Sequence, residues 1–497
     1  MFDLGTSFVA SVERDPDALA IVDGSVRLTY REWLDRISTL AGILQAHGVA
    51  RGDHVVSILQ NSWQAATLHW ACQFVGAILT PINWRATADE FGYVLDDSGA
   101  RLALYEPIAA DAVTGACAHR NVVGINVEEL DLTQTANVVT PVASASDWSL
   151  MLYTSGTTGR PKGVPRRHHA ERAAALAHVA QNTYRQGEVT LGVMPLYHTM
   201  GVRSLIAMSL IGGTFVCLRR FDAGAALALL ESERVTCLYL VPTLYHAVLH
   251  DEAFGHTDIS SVRLLGFAGA SMTDGLLAAL SDAFKPQLFV NHYGSSEVYT
   301  VSIEQDAAAK PGSAGRAGLN QRVRVVATGA QDPDAIMAAG EEGEIIADMS
   351  GDEAFEGYWQ RPDGDAKALH QGWYFTGDMG WFDEDGDLFV TGRVDDMIIT
   401  GGENVSPVEI ESHLSFFAGV DEVAVVGLPD EKWGQVVTAF IKPGDTCPKQ
   451  EQLEAHCRAG LPNYKRPRRY VFVTEIPKSP VGKLLRRLLV AGDYQPL

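Results

Sequence analysis

The densest chemistry in this sequence is the string Tyr153-Thr154-Ser155-Gly156-Thr157-Thr158-Gly159-Arg160-Pro161-Lys162-Gly163, which directly follows an apolar run. Glycines let backbone N–H groups approach phosphate oxygens, while the Ser and Thr hydroxyls and Lys162 add donors and a cation. A polar surface turn is the ordinary reading of an arbitrary Ser/Thr/Gly loop, and the full eleven-residue string reverses it. It is not a Walker A loop, because no G-x-x-x-x-G-K-S/T spacing is present. Cysteine offers little further chemistry. Cys72, Cys117, Cys217, Cys237, Cys447 and Cys457 form no Cys-x-x-Cys pair and no His/Cys ligand spacing, so all six are expected as buried, reduced thiols.

A phosphate loop needs a frame. Short β-branched or aromatic runs alternate with Ala/Leu-rich stretches over most of the length, the pattern that builds parallel sheets with helices on both faces. The fold class is α/β. Strands are expected at 149–153, 214–218, 237–241, 264–268 and 288–293, with helices at 223–233 and 274–284. From about 312 to 394 the texture changes to short strands with Gly and Asp turns, a β-rich subdomain. After Gly392-Arg393-Val394-Asp395-Asp396 comes an α+β segment: a helix from Pro407, strands at 422–426, 435–441 and 470–473, and a helix near 451–459. These last hundred residues are long enough to fold alone.

The 497 residues allow roughly two to four domains. With 46% apolar and 20% charged residues, collagen, coiled-coil and disordered classes are excluded. A formal charge of −22 argues against non-specific nucleic-acid or anionic-membrane binding, so any anionic ligand has to be held locally. The N-terminus lacks a basic region followed by an apolar run, which argues against a secretory or transit peptide. The apolar stretch 65–79 is interrupted by His69, Gln73 and Gly76, as in a buried helix rather than a membrane span. A cytoplasmic protein with no nucleic-acid or membrane partner is expected.

Further motifs follow in order: Met194-Pro195-Leu196-Tyr197-His198, Gly266-Phe267-Ala268-Gly269-Ala270-Ser271-Met272, Tyr293-Gly294-Ser295-Ser296-Glu297, Tyr374-Phe375-Thr376-Gly377-Asp378, Gly392-Arg393-Val394-Asp395-Asp396, Gly401-Gly402-Glu403-Asn404 and Pro477-Lys478-Ser479-Pro480-Val481-Gly482-Lys483. Together with the hydroxyl-rich loop, the series resembles the adenylate-forming superfamily of acyl- and aryl-CoA ligases, luciferases and peptide-synthetase adenylation domains. The resemblance covers residues from about 20 to 490. It implies a large N-terminal domain, 1–394, and a small mobile C-terminal lid, 395–497, pivoting at Asp395 over a cleft. It also implies two reactions in one site: a carboxylate and ATP give acyl-AMP and pyrophosphate, and the acyl group then passes to a thiol.

The implied roles are chemically sensible. Asp378 suits both ribose hydroxyls, and Arg393 adds a donor to the sugar or phosphate. Tyr293 offers a face to adenine, and the backbone of Gly269, Ala270 and Ser271 suits close approach to the base. Gly294 belongs to the same nucleotide set. Ser296, where the family usually has Thr, can touch the α-phosphate, and Glu297 suits Mg²⁺ held jointly with phosphate. Lys483 would offset repulsion between carboxylate and α-phosphate and stabilise the transition state of adenylation. For the second step, Gly401 and Gly402 match the glycines beside the pantetheine tunnel, and Trp433 and Tyr464 match CoA-contacting positions, the alternative for either aromatic being a core role. The run Lys465-Arg466-Pro467-Arg468-Arg469 is a landing site for CoA phosphates, Arg466 among them. The substrates and cofactors implied are a small carboxylate, ATP, Mg²⁺ and coenzyme A, and a homodimer is a family-level expectation.

Within the superfamily the closest pattern is the benzoate-type, 4-chlorobenzoate-CoA ligase group. That alignment lines the acyl pocket with Ala177, Met194, His198, Thr199, Met200, Ala268, His292, Gly294, Tyr299 and Thr300. Ala177 and His292 replace bulkier or apolar residues, which suggests a ring with a polar substituent or heteroatom; the alternative is a core His292 bonded to backbone. His198 gates the pocket rather than acting as a base, because a carboxylate needs no deprotonation near neutral pH. The expected substrate is a small aromatic or heteroaromatic acid. The alternatives are an aliphatic or malonate-type dicarboxylic acid, for which Arg203 would supply the cation unless it is a helix-surface ion pair, and an acyl-AMP ligase loading a carrier protein.

Overall fold

Parallel strands buried on both faces read as unbroken apolar runs, and such runs form the centre of both large sheets. The computed structural model describes residues 1–133, 139–154, 160–401, 403–444, 446–479 and 484–497. Ser155, Gly156, Thr157, Thr158, Gly159, Gly402 and Lys483, all singled out above, lie outside the described residues.

In the first sheet the strands run in the order Val123–Asn126, Leu102–Tyr105, His54–Ile58, Ile78–Pro81, Trp148–Thr154, Lys162–Arg167. All pairs are parallel except the last, which is antiparallel and sets Thr154 opposite Lys162. The second sheet has a parallel centre of Leu288–Tyr293, Leu264–Ala268, Cys237–Leu240, Val189–Gly192, Thr214–Cys217 and Leu19–Asp23. Most of the expected strands and helices stand within a residue or two of their places, among them the helices Ala223–Ser232 and Asp274–Phe284, whereas the strand expected at 422–426 is the longer Val420–Asp430.

The apolar stretch after Asn61 is the helix Trp63–Val75, buried from Gln64 to Val75, capped by the Ser62 hydroxyl at its start and by left-handed Gly76 at its end. It packs with the helices Leu4–Arg14 and Tyr30–Ala46 through Phe8, Tyr30, Trp33, Trp70 and Phe74. Aromatic side chains dominate that core because each removes a large apolar area from water. Among the described residues no helix is long and apolar enough to cross a membrane.

The β-rich region is antiparallel, as its alternating patterning requires, and contains Val323–Val326, Gly343–Asp348, Trp373–Phe382 and Leu388–Arg393. Rather than standing apart, it continues the second sheet through Ser313–Ala317 and Ser302–Glu304, making 14 strands in all. Beyond it lies a five-stranded sheet in the order Glu403–Val405, Ile398–Thr400, Gly434–Pro443, Val420–Asp430, with Arg469–Phe472 also paired to Gly434–Pro443. Its face is covered by the helices Pro407–Ser415 and Gln450–Gly460.

All six cysteines are free thiols, but the expectation of burial holds for Cys72, Cys217, Cys237 and Cys457 only. Cys117 is half-buried, and Cys447 is exposed in the segment preceding the helix Gln450–Gly460.

Candidate active site

Ligand sites in α/β sheets lie beyond the carboxyl ends of the parallel strands, and the residues expected to hold the nucleotide gather there. Tyr293 closes the strand Leu288–Tyr293, next to Leu264–Ala268, whose exit is Gly269-Ala270-Ser271; Gly269 has φ +84°, open to glycine without strain. The Tyr293 hydroxyl donates to Asp378 Oδ2 at 2.6 Å, and Arg393 donates to Asp378 Oδ1 at 3.0 Å. Asp378 and Arg393 are register partners on neighbouring antiparallel strands, so the sheet itself holds the pair. Burial first, and then the Asp378 charge, push the Tyr293 hydroxyl well above the ordinary phenol range, keeping it a neutral donor.

A second cluster lies one loop further on. Glu297 is buried, and its Oε1 accepts from the Tyr358 hydroxyl at 2.8 Å. The Lys162 ammonium stands over the Tyr358 ring at 4.1 Å, which brings the start of the strand Lys162–Arg167 to the same place. Ser296 Oγ and Thr199 Oγ1 are 3.2 Å apart. The loop geometry explains Gly294: a Cβ there would overlap the Tyr299 carbonyl oxygen. Glu297 belongs to no group of three or more clustered His, Cys, Asp or Glu ligand atoms among the described residues. Mg²⁺ fits it as an ion sharing one protein carboxylate and filling its shell with phosphate and water oxygens.

The segment carrying Met194 and His198 is positioned by Asn61, which donates to the Gly192 and Met194 carbonyls at 3.0 and 2.7 Å and accepts from the Leu196 amide at 3.0 Å. His198 is the N-cap of the helix Thr199–Leu210, and Gly201 brings that helix onto the Met194 and Pro195 carbonyls, which any Cβ would overlap. Met194, Met200 and Ala268 are buried in one apolar cluster, and Ala177 is buried on the helix His168–Gln181.

His292 is buried, as expected, but its partner is a side chain rather than backbone: Asn182 Nδ2 lies 3.1 Å from Nε2. Asn182 Nδ2 is also 3.0 Å from Nδ1 of His178, whose ring centroid is 5.2 Å from that of His292. Burial, reinforced by the nearby Arg203 charge, lowers both imidazoles well below the usual histidine range, so both are neutral.

Arg203, the surface ion-pair candidate, is instead fully buried. It donates to Thr300 Oγ1 at 2.8 Å, to the Tyr299 carbonyl at 3.2 Å and to the Tyr239 hydroxyl. Tyr299 faces a buried ion pair as well: its hydroxyl donates to Glu171 at 3.3 Å, and Arg166, bonded to Glu171 at 2.8 Å, lies 4.0 Å from its ring.

The remaining residues collect on the five-stranded sheet. Gly401, φ +62°, sits on Trp433, whose ring would be 3.0 Å from a Cβ at that position. Arg468 and Lys432 lie over the same indole at 4.3 and 4.9 Å. Neither aromatic is a core residue: Trp433 is half-buried and Tyr464 is 41% exposed. The basic run is already engaged, Lys465 with Glu409, Arg469 with Asp430, and Arg466 with the Leu461 carbonyl. Asp395 is exposed in a short 3₁₀ turn, Val394–Asp396, directly after the strand carrying Arg393.

Two family models match the chain: that of the AMP-binding enzyme over residues 8–359 and that of the AMP-binding enzyme C-terminal domain over 409–483. The chain belongs to the adenylate-forming, AMP-binding enzyme superfamily. It is an acid–thiol ligase. A 4-chlorobenzoate–CoA ligase from Arthrobacter is 35% identical, covering 96% of this chain and 93% of its own length. A long-chain-fatty-acid–CoA ligase from Mycobacterium tuberculosis is 32% identical over 93% of each chain. The ATP-bound crystal structure of MatB from Rhodopseudomonas palustris superposes with a TM-score of 0.89 at 27% identity, covering 99% of both chains.

Motif matching within the superfamily located Asp378, Arg393, Tyr293 and Glu297, but not the residues that hold them. Asn61, Tyr358, His178 and Asn182 were missed. For His178 and Asn182 a signal existed, two polar residues four apart near the end of an otherwise Ala-rich helix.

Proposed function

We propose that this AMP-binding enzyme is an ATP-dependent carboxylate–CoA ligase whose acid is a small aromatic or heteroaromatic ring bearing a polar substituent. The observation that carries the substrate class is the buried group His178, His292 and Arg203. Among the described residues, His178 Nε2, His292 Nδ1 and Arg203 Nε make no hydrogen bond although buried. Such atoms cost about 1–3 kcal/mol each when unsatisfied, and a polar ring substituent would relieve that cost. The Arthrobacter relative, named for an aromatic acid, supports the same class.

The dicarboxylate alternative fares worse. Both terminal nitrogens of Arg203 are taken by Thr300, Tyr299 and Tyr239, and Glu353 lies close enough for Arg203 to oppose the burial that raises its carboxyl. A second carboxylate would have to displace those bonds.

In the proposed mechanism Tyr293, Asp378 and Arg393 bind adenosine, Ser296 and the 154–162 segment hold the phosphates, and Glu297 would hold Mg²⁺, which would supply positive charge to neutralise them. Lys483 from the lid then lets the acid attack the α-phosphorus. Rotation at Asp395 brings Gly401, Gly402, Trp433, Tyr464 and Arg466 to the acyl-AMP for transfer to CoA. Pyrophosphate release from a panel of benzoate, hydroxybenzoates, heteroaryl acids, medium- and long-chain fatty acids and malonate tests the reading. Greatest kcat/KM for a substituted ring is expected; preference for malonate or a fatty acid would overturn the substrate class, and no release with any acid would overturn the ligase.

A further inference from the structure

The helix Pro242–Leu249, packed on the 14-stranded sheet, carries His246 in its last turn and is capped by His250, and neither histidine has a place in the chemistry above. Residues four apart share a helix face, and the two rings stack with centroids 4.1 Å apart at 25°. His246 Nε2 lies 2.9 Å from Oδ1 of Asp421, a residue of the strand Val420–Asp430 in the five-stranded sheet. The contact therefore joins two separate sheets.

The protons are assignable. His250 Nδ1 is 2.8 Å from the His246 carbonyl, which can only accept, so Nδ1 carries a hydrogen and Nε2 is the nitrogen left to meet a metal. Orientation of a histidine by a bond from its other nitrogen is what metal sites use to fix the ligating tautomer. Asp421 Oδ2 is held by Lys442 at 2.6 Å, leaving Oδ1 for the histidines. Lys442 also pairs with Glu422, which pairs with Lys478, so these two cations are matched by two carboxylates. One ligand atom from each of His246, His250 and Asp421 lies within 4.8 Å of the other two.

We propose that His246, His250 and Asp421 form a site for a divalent transition cation of the zinc type, bridging the two sheets. Two imidazoles and one carboxylate with an open fourth position for water are the donor set of a tetrahedral zinc ion, and a poor one for Mg²⁺ or Ca²⁺, which prefer oxygen alone. Binding replaces the His246 Nε2 proton, which leaves to solvent. Ligands at zinc distances on a tetrahedron are about 3.3 Å apart. The His246–Asp421 separation therefore opens by only a few tenths of an ångström while His250 draws in. The other clustered carboxylates, Asp383, Asp385 and Asp387, already surround the Lys310 ammonium and offer no rival site.

Equilibrium dialysis of the full-length, nucleotide-free chain against zinc sulfate, with metal content read by emission spectroscopy, tests the site. One zinc per chain is expected. H250A, at an exposed position, and D421N should each bind at least about tenfold more weakly, and C447S should bind as the parent does. Absence of zinc binding, or affinity unchanged in H250A, overturns the site. Loss in H250A with affinity retained in D421N places the metal on the helix alone and overturns the bridge. Circular dichroism on each variant separates lost binding from lost folding.

Discussion

Asp378 ties the proposed nucleotide corner together, because it accepts from Tyr293 and Arg393 on opposite oxygens. With ribose bound, it would exchange part of that network for the sugar hydroxyls. Bonds to a charged acceptor are worth about 1.5–3 kcal/mol each, so D378A should raise KM for ATP by about 10–100-fold while leaving that for the carboxylate nearly unchanged. Initial rates with each substrate varied in turn check the split. Lys483 is proposed to act in the reaction rather than in binding. K483A should cost on the order of 3–4 kcal/mol in adenylation, by analogy with other preorganised donors, yet spare transfer from supplied acyl-AMP to CoA; equal loss in both half-reactions would remove its assigned role. Candidates of this kind can be named from sequence because the proposal rests on their identity. Tyr358 and Asn61 cannot, since one holds Glu297 from 61 positions away and the other holds Met194 from 133 positions away. Nothing local in a sequence marks such a partner.

At the scale of elements, uniform apolar interiors were readable, whereas the caps that end them were not. The strand Leu264–Ala268 is buried at every position, and the helix Trp63–Val75 is bounded by Ser62 and Gly76. The tight connection after Leu288–Tyr293 is a different case. Its shape depends on Gly294 passing the Tyr299 and Val298 carbonyls, while Ser295 donates from its amide to the Val298 carbonyl at 2.8 Å. A motif names that glycine without saying why it is there; the backbone contact does. G294A forces the loop apart and should destabilise the fold by about 1–3 kcal/mol, the usual cost of overpacking. A lowered urea midpoint with unchanged slope would show this, accompanied by a sharp fall in activity because Ser296 and Glu297 sit on the displaced loop. An unchanged midpoint would mean the loop relaxes freely.

For the whole molecule, the sequence separated a β-rich stretch from the parallel core, yet the hydrogen bonds run through Ser302–Glu304 and Ser313–Ala317 into a single sheet. Edge pairing of this sort depends on which strands meet in space, and composition carries no trace of it. The break proposed to matter for function falls later, at the exposed turn Val394–Asp396 between the strand bearing Arg393 and the five-stranded sheet. Exposed 3₁₀ turns absorb changes in φ and ψ with little loss of packing. Proline fixes φ near −65° and disfavours helical backbone at the preceding Val394, so D395P should fold and hold the pivot to a narrowed range of orientations. If rotation at this residue separates the two chemical steps, the variant will run one half-reaction at close to the parent rate and lose the other by about 100-fold or more. Pyrophosphate exchange and acyl transfer from synthetic acyl-AMP, measured separately, give the ratio; parallel changes in both would move the pivot elsewhere in the chain.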